Sequence, residues 1–133
     1  DHLLEEKAQQ TIGAFAEGIN QHPTAYTFFL TAALFYQQPG RDIVIVGKRE
    51  KEDVRAMMET INDRFLPDTL IIFKDPGEKI PDELIPFTKD MVMIGNKATV
   101  YICENFSCQQ PITDIKVLKD IVEKIGAVNK VLL

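Results

Sequence analysis

The chain has 133 residues, of which 45% are hydrophobic and 26% charged, with a formal net charge of -5. Its length suits one ordinary domain with a single core, its composition excludes disordered and fibrous classes, and its acidic balance with scattered Lys and Arg argues against a nucleic-acid surface. No apolar run approaches the ~18 residues that span a bilayer and no signal peptide is legible, so a cytoplasmic domain with neither membrane nor nucleic acid as partner is expected.

From Leu3 to Ile19 the residues Leu4, Ala8, Ile12, Phe15 and Ile19 recur every three or four positions, which predicts an amphipathic helix. Asn20 to His22 break that pattern, Pro23 suits the first turn of a second helix, and Pro39 with Gly40 stop it after about Gln37. The second helix carries Phe28, Phe29, Leu30, Leu34, Phe35 and Tyr36 around much of its circumference. A hairpin this apolar needs cover on several sides, so it is expected to pack on something beyond this sequence or to form a homo-oligomer. The start at Asp1 rather than Met fits an absent upstream part.

Ile43 to Val46 is a β-branched run ending at Gly47, and predicts a strand buried on both faces, as in a parallel sheet. Val54, Met57, Met58, Ile61 and Phe65 then repeat with helical spacing, and Thr69 to Phe73 reads as a second buried strand, completing a β-α-β unit. Lys74 to Lys89 holds Pro76, Gly77, Pro81 and Pro86 and predicts mostly loop, with an isolated helical turn around Asp82 to Ile85. Met91 to Ile94 is a short apolar stretch, Gly95-Asn96 a turn, and Ala98 to Cys103 a third strand. Thr113 or Asp114 can cap a last helix reaching Lys124, with Ile115, Leu118, Ile121, Val122 and Ile125 toward the core. The expected fold is α/β: a helical hairpin over residues 1–40, then a small domain over 41–133 with a parallel, Rossmann-like sheet of three to four strands flanked by helices.

Few residues offer chemistry. Cys103 and Cys108 lie too far apart in sequence for a thioredoxin-type pair, which has two residues between its cysteines. Zinc needs four ligands, and only His2 and His22, both in the hairpin, could join the two cysteines, so no metal is expected. The simplest reading makes Cys103 a small apolar strand residue and Cys108 a loop residue in a reducing compartment; a reversible disulfide or a redox site is the alternative. Gly47 and Lys48 stand where a strand end meets a helix start, a place for an anionic ligand in α/β sheets. However, Val46-Gly47-Lys48-Arg49 is neither a dinucleotide loop nor a P-loop, and Gly47 reads as turn chemistry. Lys48, Arg49, Lys51 and Arg55, interrupted by acids, read as a solvated helix face. The carboxylate pairs Glu5 with Glu6, Glu52 with Asp53 and Asp82 with Glu83 read as helix-start acids. No catalytic residue and no cofactor are expected.

Between Ala98 and Asp114 the residues Tyr101, Cys103, Asn105, Phe106, Cys108, Gln109, Pro111, Thr113 and Asp114 form the pattern Tyr-x-Cys-x-Asn-Phe-x-Cys-Gln-x-Pro-x-Thr-Asp. This pattern resembles the C-terminal close of the thioredoxin-domain-containing, spermatogenesis-associated protein family. The strand ending at Gly47 and the Pro23 helix before it are also similar to that family's arrangement. The resemblance implies a thioredoxin-like domain first, then a helical-hairpin barrel similar to six-hairpin glycosidases and sugar epimerases, then this ending. The hairpin from Leu3 to Gln37 would be the last pair of barrel helices. The family's Cys-x-x-Cys motif and any carbohydrate site would lie outside these residues. The leading expectation is thus a non-catalytic accessory domain whose partners are upstream domains of its own polypeptide, with a cysteine loop shared in a redox or carbohydrate site, or a regulatory anion site at Gly47, as alternatives.

Overall fold

The computed structural model describes residues 2–37, 40–78, 84–104 and 107–130. They fall into two compact units, Asp1–Pro39 and Gly40–Leu133. In the first, helix α1 spans His2–Gln21, a 3-10 turn spans Pro23–Tyr26 and helix α2 spans Thr27–Gln37. The turn begins with the proline, whose missing N–H costs nothing there, and the Gly18 carbonyl accepts the His22 N–H at 2.9 Å. The helices run antiparallel, since Phe15 meets both Tyr26 and Phe29 at ring-centroid distances of 6.4 and 5.4 Å and Gln9 donates to the Tyr36 hydroxyl. Ile19 is the buried residue of α1, while Leu3, Leu4, Phe15, Phe28 and Tyr36 stay exposed. The side chains of Leu34 and Phe35 lie outside the described set.

The second unit holds β1 (Arg41–Val46), α3 (Glu52–Asn62), β2 (Thr69–Lys74), a 3-10 turn at Pro86–Thr88, β3 (Thr99–Glu104), β4 (Ser107–Cys108) and α4 (Ile115–Lys130). The four strands form one sheet in the order β2-β1-β3-β4. The β-α-β unit pairs β1 with β2 in parallel, but β3 pairs antiparallel with β1, and β4 antiparallel with β3. The sheet is therefore mixed, which corrects the expectation of a parallel one. The chain leaves β2 at Lys74 and re-enters the sheet at Thr99, opposite Val46 at the same end of β1. Because it leaves and re-enters at the same end of β1, the connection needs no helical crossover, as a further parallel strand would.

The burial of β1 on both faces was legible, but its cause is different. One face carries Ile43, Ile45, Val100 and Ile102 against Val54, Met57 and Ile61 of α3 and Leu118 and Val122 of α4. The other face is covered by the segment between β2 and β3, whose Met91 packs on Val44, Val46 and Cys103. Tyr101 ties this segment down: its hydroxyl donates to the Val92 carbonyl at 2.8 Å and accepts the Val92 N–H at 3.2 Å. A tight turn at Gly95 and Asn96, with φ of 59° and 58°, then leads into β3. Both central residues having positive φ defines the turn that glycine and asparagine tolerate best. At the start of α4, the Asp114 carboxylate accepts the Lys116 N–H at 2.7 Å, so Asp114 is the cap. Two expected core positions face out instead, Phe65 beyond the end of α3 and Ile115 in the first turn of α4. The helical turn expected around Asp82 to Ile85 lies largely outside the described residues.

Candidate functional site

At the C-terminal ends of the parallel pair, α3 begins only at Glu52, so Lys48 to Lys51 form a turn before the helix and not a helix face. Asp75, just past β2, accepts the Arg49 N–H at 2.9 Å and the Gly77 N–H at 2.8 Å. The latter is the local turn that an Asp-Pro-Gly sequence announces. The guanidinium of Arg49 lies over the Phe73 ring, 4.8 Å from its centroid, and reaches Glu78 at 3.3 Å. Asp53, in the first turn of α3, accepts the Ala98 N–H at 2.8 Å and the Val54 N–H at 2.9 Å. The donors at this crevice therefore hold the chain's own carboxylates, where an anionic ligand of α/β sheets would sit. Gly47 has a packing reason: a Cβ there would meet Cγ2 of the buried Val54 at 2.4 Å. Lys48 is exposed beside it.

The N–H groups of Arg49 and Gly77, with the charges of Arg49 and Lys48, hold the Asp75 carboxyl below its ordinary value of 3.8. A depressed folded pKa contributes stability that is complete above the unfolded value and is lost as pH falls through the folded one. Asp75→Asn is therefore expected to lower the melting temperature at pH 7, with the gap to the parent closing below pH ~3.8; a gap independent of pH in thermal melts would contradict this.

At the other end of the sheet, Arg41 spans three strands' ends, its Nε 2.6 Å from Glu104 and its Nη1 3.3 Å from Asp68. Beside it, Asp42 stands opposite Cys103 in the β1–β3 ladder, and Cys103 stands opposite Cys108 in the β3–β4 ladder. Cys103 and Cys108 are joined in a disulfide with their Cα atoms 3.9 Å apart. The Gln109 N–H bonds the Ile102 carbonyl at 2.9 Å. That bond flanks the cysteines as a non-hydrogen-bonded pair, the closely spaced kind in an antiparallel ladder. This corrects the simpler reading of the two as unlinked strand and loop residues. Beyond Gln109, Ile112 exchanges both main-chain bonds with Val100, at 2.8 and 2.9 Å. One extra residue therefore intervenes relative to the cysteine pairing, a bulge that accommodates Pro111, which has no N–H to lose.

Sequence reasoning singled out Cys103, Cys108, Gly47 and Lys48; the structure brings the first two together at one end of the sheet and leaves the others at the opposite end. It missed Asp42, whose carboxyl burial pushes above its ordinary value of 3.8, because register is set by partners distant in sequence. Among the described residues, no group of three or more His, Cys, Asp or Glu could hold a metal ion, and no helix is long and apolar enough to cross a membrane.

No protein-family model matches the chain, and no solved structure matches it. Curated proteins do. Spermatogenesis-associated protein 20 of Homo sapiens is 31% identical over 82% of the chain, and that of Rattus norvegicus is equally similar. An uncharacterized protein of Caenorhabditis elegans is 27% identical over 90% of the chain. The chain spans 14% of the length of the mammalian relatives and 16% of the nematode one. By these matches the chain belongs to the spermatogenesis-associated protein 20 family, as the counterpart of one stretch of a much longer protein.

Proposed function

We propose that the chain is a non-catalytic accessory α/β domain with a docking hairpin, built to support the rest of a longer polypeptide of its family. One observation carries this: α1 and α2 expose Leu3, Leu4, Phe15 and Phe28, the last 92% exposed, in a chain that spans 14% of its mammalian relatives. Apolar helix faces of this kind mark an interaction surface, and the missing length of the same polypeptide is the natural occupant. In this reading the hairpin is the last helical pair of an upstream barrel, which the family resemblance makes carbohydrate-related. The strand-end crevice, lined by Asp53 and Asp75, supports this over an anion-binding module.

The reading predicts that Phe28→Asp leaves the melting temperature of this chain unchanged, because the ring is already solvated here. In the full-length polypeptide the same substitution buries a charge and is expected to cost several kcal/mol. Thermal unfolding of both proteins checks this; equal, small effects in the two would overturn the docking role.

A further inference from the structure

Successive residues of a strand take opposite faces. The register therefore lines up Leu70, Asp42, Cys103 and Cys108 in one row across all four strands, on the face opposite α3 and α4. We propose that this row is a thiol–disulfide exchange site for thiols of low molecular weight, in which Cys108 enters and leaves mixed disulfides, Cys103 resolves them, and Asp42 carries the Cys103 proton.

Exposure assigns the two sulfurs their roles. Cys108 lies on the exposed two-residue strand β4, whereas Cys103 is 4% exposed and packs with Val44, Val46 and Met91. An incoming thiolate reaches the first and not the second. Cys103 is packed away from water, so the proton its thiol gives up on attack needs an acceptor within the site. Asp42 is directly opposite, with Cβ atoms of such pairs about 5 Å apart. A carboxylate in water is too weak a base for a thiol, and the burial that raises Asp42 narrows that gap. On its other side stands Leu70. The remaining described charged or titratable groups near it have other engagements: Arg41 with Asp68 and Glu104 and Tyr101 with Val92.

The chemistry balances as follows. The reduced Cys108 thiolate attacks a low-molecular-weight disulfide RS–SR, forms Cys108–SR and expels one thiolate RS⁻, which takes a proton from water. The Cys103 thiol then gives its proton to Asp42 while its Sγ attacks Cys108 Sγ. The Cys108–SR bond breaks, and its electron pair leaves on the second RS⁻. Asp42 passes the proton to solvent. The two cysteines lose two electrons in all, and RS–SR becomes two RSH; reduction by two thiols is the reverse, with Asp42 as proton donor. The site is stoichiometric and asks no catalysis of the accessory domain.

The reduced chain is mixed with a coloured aromatic disulfide reagent, and thiolate release is followed by stopped flow. Two phases are expected, attack by Cys108 and then ring closure. Cys103→Ser should keep the first phase and abolish the second; Cys108→Ser should slow the first strongly. Asp42→Asn should leave the first unchanged, slow the second by about tenfold or more and flatten its pH profile, and Asp42→Glu should restore part of the rate. Because burial disfavours the Asp42 charge, Asp42→Asn is also expected to keep or raise the melting temperature at pH 7, which separates slow closure from unfolding. Closure at the parental rate in Asp42→Asn, or a first phase that survives Cys108→Ser and is lost in Cys103→Ser, would overturn the proposal.

Discussion

Gly47→Ala is expected to destabilise the chain by about 1–3 kcal/mol, lowering the melting temperature by roughly 5–20 °C for a unit of this size. Replacing glycine by alanine ordinarily gains about 0.4–1 kcal/mol through the unfolded state, and Gly47 has no positive φ to forbid a side chain. The deciding term is space. The new methyl would lie 2.4 Å from Val54 Cγ2 and 3.5 Å from both Cα and Cβ of Ala98. Val54 and Ala98 are fully buried and cannot swing aside, so α3 must lift from the end of β1. Adding Val54→Ala is expected to return part of the loss, a non-additivity that sites in contact show. A single variant as stable as the parent would remove this account of Gly47 and reopen the ligand reading of Gly47 and Lys48.

The second large effect is expected at Lys74→Met. The Lys74 ammonium donates to the carbonyls of Thr88, Lys89 and Met91 at 2.6, 3.3 and 3.1 Å. One cation thereby gathers the segment that covers the open face of the sheet, where Met91 meets Val44 and Val46. Methionine keeps most of the apolar stem and removes the three donors. Hydrogen bonds to a charged group are worth about 1.5–3 kcal/mol, more than a neutral bond, and here part of the loss comes from carbonyls left without a donor. The expected loss is about 2 kcal/mol in denaturant unfolding, with faster hydrogen exchange confined to residues 88–94. Arginine is not an equivalent, because its planar fork does not converge on three carbonyls as an ammonium does. Unchanged stability and exchange would show that Met91 and Tyr101 hold the segment without Lys74.

The parts of this fold legible in the sequence are those that local periodicity reports. Val54, Met57 and Ile61 read as a helix because they recur with its period, and they are buried on that side of α3. Ile43 to Val46 read as doubly buried, and are. The direction of β3 was not legible, because the same apolar run serves a parallel or an antiparallel strand and the choice rests on where the return segment leads. Phe65 and Ile115 continue a helical spacing past the point where the neighbouring surface ends, so pattern assigned them a core that geometry does not offer. The cysteines were visible as residues, but their bond depends on the pairing of β3 with a two-residue strand. Asp42 is invisible for the same reason: one carboxylate near a strand start carries no mark until Cys103 is placed opposite it. Lys74 could have been noticed as a cation closing an apolar strand ahead of a proline-rich loop, although its three acceptors lie 14 or more residues away in sequence.

The proposed role of α1 and α2 is that of a docking element within a longer polypeptide. Native-state hydrogen exchange tests it directly, run on this chain and on the full-length protein under the same conditions, comparing amides of residues 2–37. Helices whose apolar faces are solvated open locally at little cost, whereas buried ones exchange at the rate of global unfolding. The account predicts weak protection of the hairpin in this chain and protection stronger by two or more orders of magnitude in the full-length protein, while the amides of β1 and β3 change little. Equal hairpin protection in the two proteins would contradict it.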